Sequence, residues 1–446
     1  RQCDVVPLIT CTNDSYVVDP DTAAWLTEHR KPFGVITCAG KYRTGKSFLL
    51  NRLAQASSGA GFGVGNTVQA CTKGLWVYKK WFTTSDPNKD ILFVDTEGID
   101  ALDADDTHDV RIFTLALLLS SSFLYNSVGA IDETSMQTLS LMTRVTQNVR
   151  VRSERDEADS KELAKHMPSF HWVLRDFALD LRDKEGRAMS PNQYLEDALQ
   201  GTEKSKDGVR AAIREAFQRR ELITLPRPST DDANANRLED RLFSVSPKFT
   251  KGIEALREKL FRDTAAFSTQ ERPVSGRMYV TLCEHLAKVV QTNAVPVIKD
   301  SWSLMAAVQA RDVKDAALAE FEEKLCGLSK MPARQLQALL EGHRQSALLR
   351  FDSEAAEPID AEIRDSLKQR LLLLSANAFE ALARNLVEDA AVAIDALEAR
   401  IFEAPTQAAT GMADAEANFY STFGKNQDSD DAWRTVVGER LLRWLP

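Results

Sequence analysis

A chain of 446 residues exceeds the roughly 250–300 residues at which a single core stops growing, which points to two domains. Its 43% hydrophobic and 27% charged residues are globular proportions and exclude collagen-like, disordered and disulfide-scaffold classes. A formal net charge of −9 argues against a general binder of nucleic acid or anionic membrane, since both need a basic face, so no nucleic acid is expected among its partners.

The first element read in chain order is the apolar strand FGVITCAG, Phe33 to Gly40. It runs into Gly40-Lys-Tyr-Arg-Thr-Gly45-Lys46-Ser47, which matches GxxxxGK[ST], and FLLNRLA behind it reads as the start of a helix. A strand feeding a glycine loop that opens a helix turns successive backbone N–H groups toward phosphates, and the helix dipole adds to the field. Gly40, Tyr42, Arg43, Thr44, Gly45, Lys46, Ser47 and Phe48 form the expected binding loop, with Lys46 on the β- and γ-phosphates and Ser47 on Mg2+.

Next comes Thr67-Val-Gln-Ala-Cys-Thr72-Lys-Gly74, a loop in which a switch threonine would reach Mg2+ and sense the γ-phosphate. Thr72 is the candidate, and Thr67 competes with it on spacing alone. The strand ILFVDTEG then supplies Asp95 as a second metal-positioning carboxylate, through a water, and Gly98 as a backbone N–H that can approach the γ-phosphate without a Cβ in the way. The acidic residues Asp103, Asp105, Asp106 and Asp109 lack EF-hand spacing and read as a solvated loop.

From Ile112 to Ile131 there is no charge, about the length of a membrane span. Ser120, Ser121, Ser122, Asn126 and Ser127 interrupt it, so it reads as a buried helix followed by a core strand, FLYNSVGAI. Small GTPases read guanine with N-K-x-D, which is missing here; FHWVLRDFAL, Phe170 to Leu179, offers Arg175-Asp176 at a strand end instead. Asp176 can accept from both N1–H and the 2-amino group of guanine, and a surface ion pair is the alternative on spacing alone. ELITLPRP, from Glu221, is the last β-rich run.

The chain changes character near residue 276. Only five of the twenty glycines lie beyond it, and Arg277 onward carries 19 basic and 26 acidic residues, so turns thin out and acid accumulates. The expected architecture is an α/β P-loop domain, 1–275, with a mostly parallel sheet and helices on both faces, followed by an elongated all-α stalk, 276–446. Between Pro358 and Pro405 there is neither Gly nor Pro, and apolar residues recur with helical spacing. A continuous helix there would span on the order of 70 Å. Its four leucines, Leu371 to Leu374, are expected to be buried on all sides of a bundle. The six cysteines, Cys3, Cys11, Cys38, Cys71, Cys283 and Cys326, form no CxxC pair, which suits a reducing, cytoplasmic compartment. The chain begins at Arg1 rather than Met, so targeting or lipid-bearing segments are expected to lie outside it.

Taken together, YRTGKSFLLNRLA, TKGLW, DTEG, LLLSSSFLYNSVGAID and WVLRDFALDL resemble the guanylate-binding protein family of dynamin-like large GTPases, and NAVPVIKDSW resembles the start of that family's middle domain. The resemblance implies GTP and GDP binding with Mg2+, Arg175 and Asp176 as the guanine-reading pair, Thr72 as the switch threonine, and Arg43 as an internal arginine finger. It also implies a homodimer through the G-domains, GMP as a further product in some members, and membrane attachment or higher-order assembly through a C-terminal region beyond this chain. Animal members carry a serine two residues before the switch threonine where this chain has Ala70, and Ile99 excludes a small-GTPase glutamine. Glu97 and the Thr72 backbone are then the expected water-organising groups, Glu97 acting indirectly. Three activities fit: a GTP-hydrolysing, self-assembling mechanoenzyme, a nucleotide-gated scaffold with little turnover, and a P-loop kinase, which leaves the switch segments and long helices unexplained.

Overall fold

The computed structural model describes residues 4–12, 15–57, 61–63, 74–98, 106–139, 149–150, 159–183, 185–200, 207–229, 245–269, 272–292, 294, 296–326, 333–355, 361–403, 416–417, 420–421, 430 and 433–434. Its contacts divide the chain into two compact units, Arg1–Met305 and Ala306–Pro446.

The first unit contains β1 (Val5–Thr12), β2 (Ser15–Val18), α1 (Pro20–Thr27), β3 (Phe33–Ala39), α2 (Lys46–Leu53), β4 (Leu75–Tyr78), β5 (Phe82–Thr83), β6 (Asp90–Thr96), α3 (Asp106–Leu118), β7 (Ser122–Val128), α4 (Glu133–Thr138), α5 (Asp159–His166), β8 (Ser169–Arg175), α6 (Pro191–Gln200), α7 (Asp207–Ala216), β9 (Arg220–Thr224), α8 (Pro247–Asp263), β10 (Ser268–Thr269), β11 (Arg272–Pro273) and α9 (Gly276–Gln291). The main sheet has the order β2-β1-β4-β6-β3-β7-β8-β9, with β5 paired to β6. Strands β6, β3, β7, β8 and β9 run parallel. Strands β1, β2, β4 and β5 form an antiparallel wing.

Every residue of β3 and β6 is buried, as expected of strands covered on both faces. Alternation along β3 separates those faces. Ile36 and Cys38 join a core built with Phe48, Leu49 and Leu53 of α2 and Phe249, Ile253, Leu256 and Leu260 of α8. Thr37, between them, accepts from Ser120 Oγ at 2.7 Å just beyond α3 on the opposite face. The uncharged stretch from Ile112 therefore folds as helix α3 followed by strand β7. No helix among the described residues is long and apolar enough to cross a membrane.

The first unit continues past the composition break at 275/276. Ser275 caps α9 by accepting from the Met278 N–H at 3.3 Å, and the Gly276 N–H donates to the His29 carbonyl at 3.2 Å. Tyr279 is buried and donates its hydroxyl to the Leu119 carbonyl at 2.9 Å. Helix α9 thus closes against α1, β2 and α3 rather than opening a separate bundle.

The second unit takes in the helix α10 (Ile298–Cys326) from Ala306 onward, with α11 (Ala333–Glu354) and α12 (Ala361–Glu403). Ala306, Ala310, Val313, Ala317 and Phe321 of α10 recur at three- and four-residue steps and meet Leu340, Ala347 and Phe351 of α11 and Leu371 of α12. Small alanines in that stripe allow close helix approach. The four-leucine run is not buried all round: Leu371 is 1% exposed, but Leu372 is 36% and Leu373 61% exposed. Four consecutive residues sweep most of a helix circumference, whereas the neighbouring helices cover one side.

Gly276 has no room for a side chain, because an added Cβ would lie 1.7 Å from the Leu26 carbonyl oxygen. Gly276→Ala is expected to force α9 off α1 and destabilise the first unit by about 1–3 kcal/mol. Gly342→Ala in α11, where nothing lies within 4 Å of the new carbon, should be neutral or stabilising by up to about 1 kcal/mol. Scanning calorimetry of both variants checks the contrast, and equal melting curves would contradict the packing described here.

Candidate active site

After β3 the chain builds β6 on one side of it and then crosses through α3 to build β7 on the other, so the carboxyl end of β3 opens at a topological switch point, where open α/β sheets bind ligands. Residues 40–45 form the turn into α2. Gly40 and Gly45 have φ of 153° and 79°, and a Cβ on Gly40 would lie 2.2 Å from the Asn126 carbonyl oxygen. Arg43, exposed at the tip, adopts φ 62° without being glycine, a strained conformation of the kind found at functional turns. Its guanidinium lies 6.0 Å from the Tyr42 ring centroid.

Side chains brace the loop from inside. Thr44 donates Oγ1 to the Lys41 carbonyl at 2.7 Å, and Asn126 Nδ2, from the interior of β7, donates to the Thr44 carbonyl at 2.9 Å. Gly45 is the N-cap of α2 and offers no side-chain cap, which leaves the first N–H groups of that helix for an anion. Lys46 is buried, with Nζ 3.3 Å from the Lys41 carbonyl, and burial lowers its pKa against the pull of Asp95.

Ser47 Oγ donates to Asp95 Oδ2 at 2.5 Å. Asp95 is fully buried at the end of β6; burial pushes its pKa up to about 6, while Lys46 and Ser47 pull the other way. Its Oδ1 has no hydrogen-bond partner among the described residues. An ionised carboxylate with an idle oxygen beside a serine hydroxyl is a hard-oxygen set that suits Mg2+ completed by phosphate and water. No cluster of three or more His, Cys, Asp or Glu that could hold a metal by itself occurs among the described residues.

Glu97 is buried, and its Oε2 accepts from the Gly74 N–H at 3.1 Å and lies 3.1 Å from His108 Nε2. His108 Nδ1 lies 2.9 Å from the Tyr16 hydroxyl. A tyrosine donating to Nδ1 leaves Nε2 to donate to Glu97, the tautomer this arrangement selects for a neutral ring. Glu97 therefore ties Gly74 to α3 and the antiparallel wing. Thr72, with Thr67, Ala70 and Ile99, lies outside the described residues. Gly98 packs against the phosphate loop, for an added Cβ would stand 2.7 Å from Tyr42 Cα.

At the end of β8, Asp176 has φ 55°, and its Oδ1 is buried without a hydrogen-bond partner among the described residues. Arg175 points elsewhere. Its guanidinium is buried, 5.4 Å from the Phe48 ring and 5.3 Å from the Phe249 ring, and Nη1 lies 3.4 Å from the Gly45 carbonyl oxygen. Phe48 likewise faces the core, its ring stacked on Phe249 at 6.0 Å.

The arrangement gathers the loop residues 40–47, Asp95, Gly98 and Asp176 at the carboxyl ends of adjacent parallel strands, with Glu97 behind them. Asn126, His108, Tyr16 and Phe249 are contributors that spacing did not reveal. Asn126 carried one usable signal, an amide inside an otherwise apolar strand. A cavity of about 840 Å³, lined by residues such as Ser121, His166, Ser169 and Trp302, opens at the other ends of these strands and contains none of the candidate residues.

Comparison with known proteins identifies the family. Residues 13–269, more than half of the chain, match the family described as guanylate-binding protein, N-terminal domain. Guanylate-binding protein 1 of Pongo abelii is 30% identical over 381 residues, covering 81% of this chain and 61% of that protein. Guanylate-binding protein 3 of Homo sapiens is 31% identical over 357 residues, covering 76% of this chain and 58% of that protein. Guanylate-binding protein 1 of Mus musculus is 27% identical over 455 aligned positions, covering 97% of this chain and 75% of that protein. The chain spans about three-fifths of the first two relatives. With a family model matching more than half of its length and relatives 30–31% identical over three quarters or more of it, the chain belongs to the guanylate-binding protein family.

Proposed function

We propose that the chain binds GTP with Mg2+, hydrolyses it to GDP and phosphate, and pairs with a second copy through its nucleotide-binding face. The observation that carries this reading is the Ser47–Asp95 hydrogen bond, with the second Asp95 oxygen unpartnered among the described residues beneath a phosphate loop whose helix end has no side-chain cap. Lys46 supplies a cation for the β- and γ-phosphates, and the α2 N–H groups hold the phosphate chain. Ser47, and Asp95 through a water, would hold Mg2+, which would supply positive charge to the reacting phosphoryl group. Asp176 accepts from the two donors of guanine. Arg43, already exposed in a strained turn, swings over the γ-phosphate as an internal finger, and Thr72 completes the switch.

Glu97 acts at a distance. Its carboxylate is engaged by Gly74 and His108, so it holds the switch loop rather than taking a proton from water. That engagement, with Ala70 unable to hydrogen-bond, favours a second reading in which the chain is a nucleotide-gated scaffold with little turnover. In the first reading a second G-domain packed over the nucleotide excludes water, orders the Thr72 and Gly98 loops and presses Arg43 inward, and the change passes to the helical region. Phosphate release from GTP separates the two, and chromatography of the products decides whether GMP is also formed.

Asp176→Asn is expected to weaken GTP binding and to favour xanthine nucleotides, because an amide donor suits the xanthine carbonyl. Titration with both nucleotides measures this, and unchanged GTP affinity removes Asp176 from the site. Lys46→Ala should abolish tight GTP binding, whereas Arg43→Ala should bind GTP and turn over roughly 10³-fold more slowly, since a finger acts on the transition state. Parent-rate hydrolysis by Arg43→Ala at saturating GTP excludes the finger. Turnover per molecule should rise with protein concentration, with a dimer sedimenting in the presence of a transition-state mimic. Constant specific activity with a monomer throughout supports the scaffold.

A further inference from the structure

The guanidinium of Arg175 lies inside the domain, in contact with the inner side of the phosphate loop. Arg175 ends β8, two residues beyond Val173, which sits in the α2/α8 core. Strand alternation puts both side chains on that face. Arg175 touches the Phe48 ring of α2, the Phe249 ring of α8 and the Gly45 carbonyl. A Cβ on Gly45 would lie 3.3 Å from Arg175 Nη1, so cation and turn are in direct contact.

A trans peptide points its carbonyl and its N–H in opposite directions. The Gly45 carbonyl already accepts from the Leu49 N–H at 2.9 Å. With Arg175 as its second donor, that carbonyl is drawn inward, and the Lys46 N–H of the same peptide is aimed outward at the crevice.

Resting on the GTP-binding reading above, we propose that Arg175 is a positioning residue for the phosphate loop, backed by Phe249 of α8, and that base reading falls to Asp176 alone. Arg175 then links three parts: the strand that carries the base reader, the turn that holds phosphate, and the helix that closes the domain. Its planar cation suits this role, since it can lie over aromatic faces and still donate to a carbonyl.

The test measures GTP and guanosine, the latter by competition, against the parent chain, Arg175→Gln and Phe249→Leu. For Arg175→Gln the affinity for GTP should fall about tenfold, the loss of one charge-assisted contact, and that for guanosine should stay within about twofold. Phe249→Leu, which keeps the cation and removes one ring, should shift GTP in the same direction by about threefold and leave guanosine alone. Equal losses for GTP and guanosine, with melting temperatures near the parent's, would make Arg175 a base reader and overturn the proposal, as would unchanged GTP affinity in both variants. If Arg175→Gln does not fold, the GTP-to-guanosine ratio of Phe249→Leu decides. A parent chain that binds no GTP overturns the functional reading itself, which is a distinguishable result.

Discussion

A carboxylate buried at the end of a parallel strand and held by one serine hydroxyl is the constraint around which this domain is organised. Asp95 pays a desolvation penalty large enough to lift its pKa to about 6. The penalty is tolerable only because Lys46 and Ser47 approach it from the next element of the fold. That approach requires α2 to start where it does, which requires a left-handed turn at Gly45, and the turn in turn depends on β3 ending between β6 and β7. Sheet order, loop conformation and site chemistry are thus links of one chain, each imposed by the next.

What could be read from sequence follows how local each interaction is. The phosphate loop is contiguous, and its glycines, lysine and serine act through neighbouring backbone, so eight residues disclose it. Asp95 and Asp176 were legible because each ends a run of apolar strand residues. Asn126 was not, for its bond to Thr44 crosses 82 residues. Phe249 was not either, because its meeting with Arg175 depends on how α8 lies over α2. The same locality explains the antiparallel wing. Strand β1 contains Pro7 and a register shift between Pro7 and Ile9, so its burial does not alternate and the pattern of a strand is lost.

The break at residue 276 has a similar lesson. Composition registers what kind of element is present, and α9 is indeed helical. It does not register what that helix touches. Gly276, the first residue of the expected stalk, is where two backbones meet too closely for any side chain. The leucine run of α12 errs in the opposite direction. Leu371 to Leu374 are apolar enough for a core on every side, but a helix flanked on one side buries only the residues that face its neighbours.

Two buried acceptors without partners among the described residues, Asp95 Oδ1 and Asp176 Oδ1, stand at the carboxyl ends of β6 and β8, with β3 and β7 between them in the sheet. A core selected for stability alone would fill these positions with apolar residues or bring a donor to them. Arg175, a cation buried between rings, adds a cost of opposite sign nearby. Acceptors that call for cations or N–H donors and cations that call for anions can be satisfied together by one molecule that carries phosphate, metal and donor-bearing base. Asp95 has Lys46 beside it and Arg175 has Asp176 beside it, and under the proposed function a nucleotide would bring further counter-groups to both places at once. On this reading a ligand of this composition, binding the folded domain and not the unfolded chain, stabilises the fold by mass action.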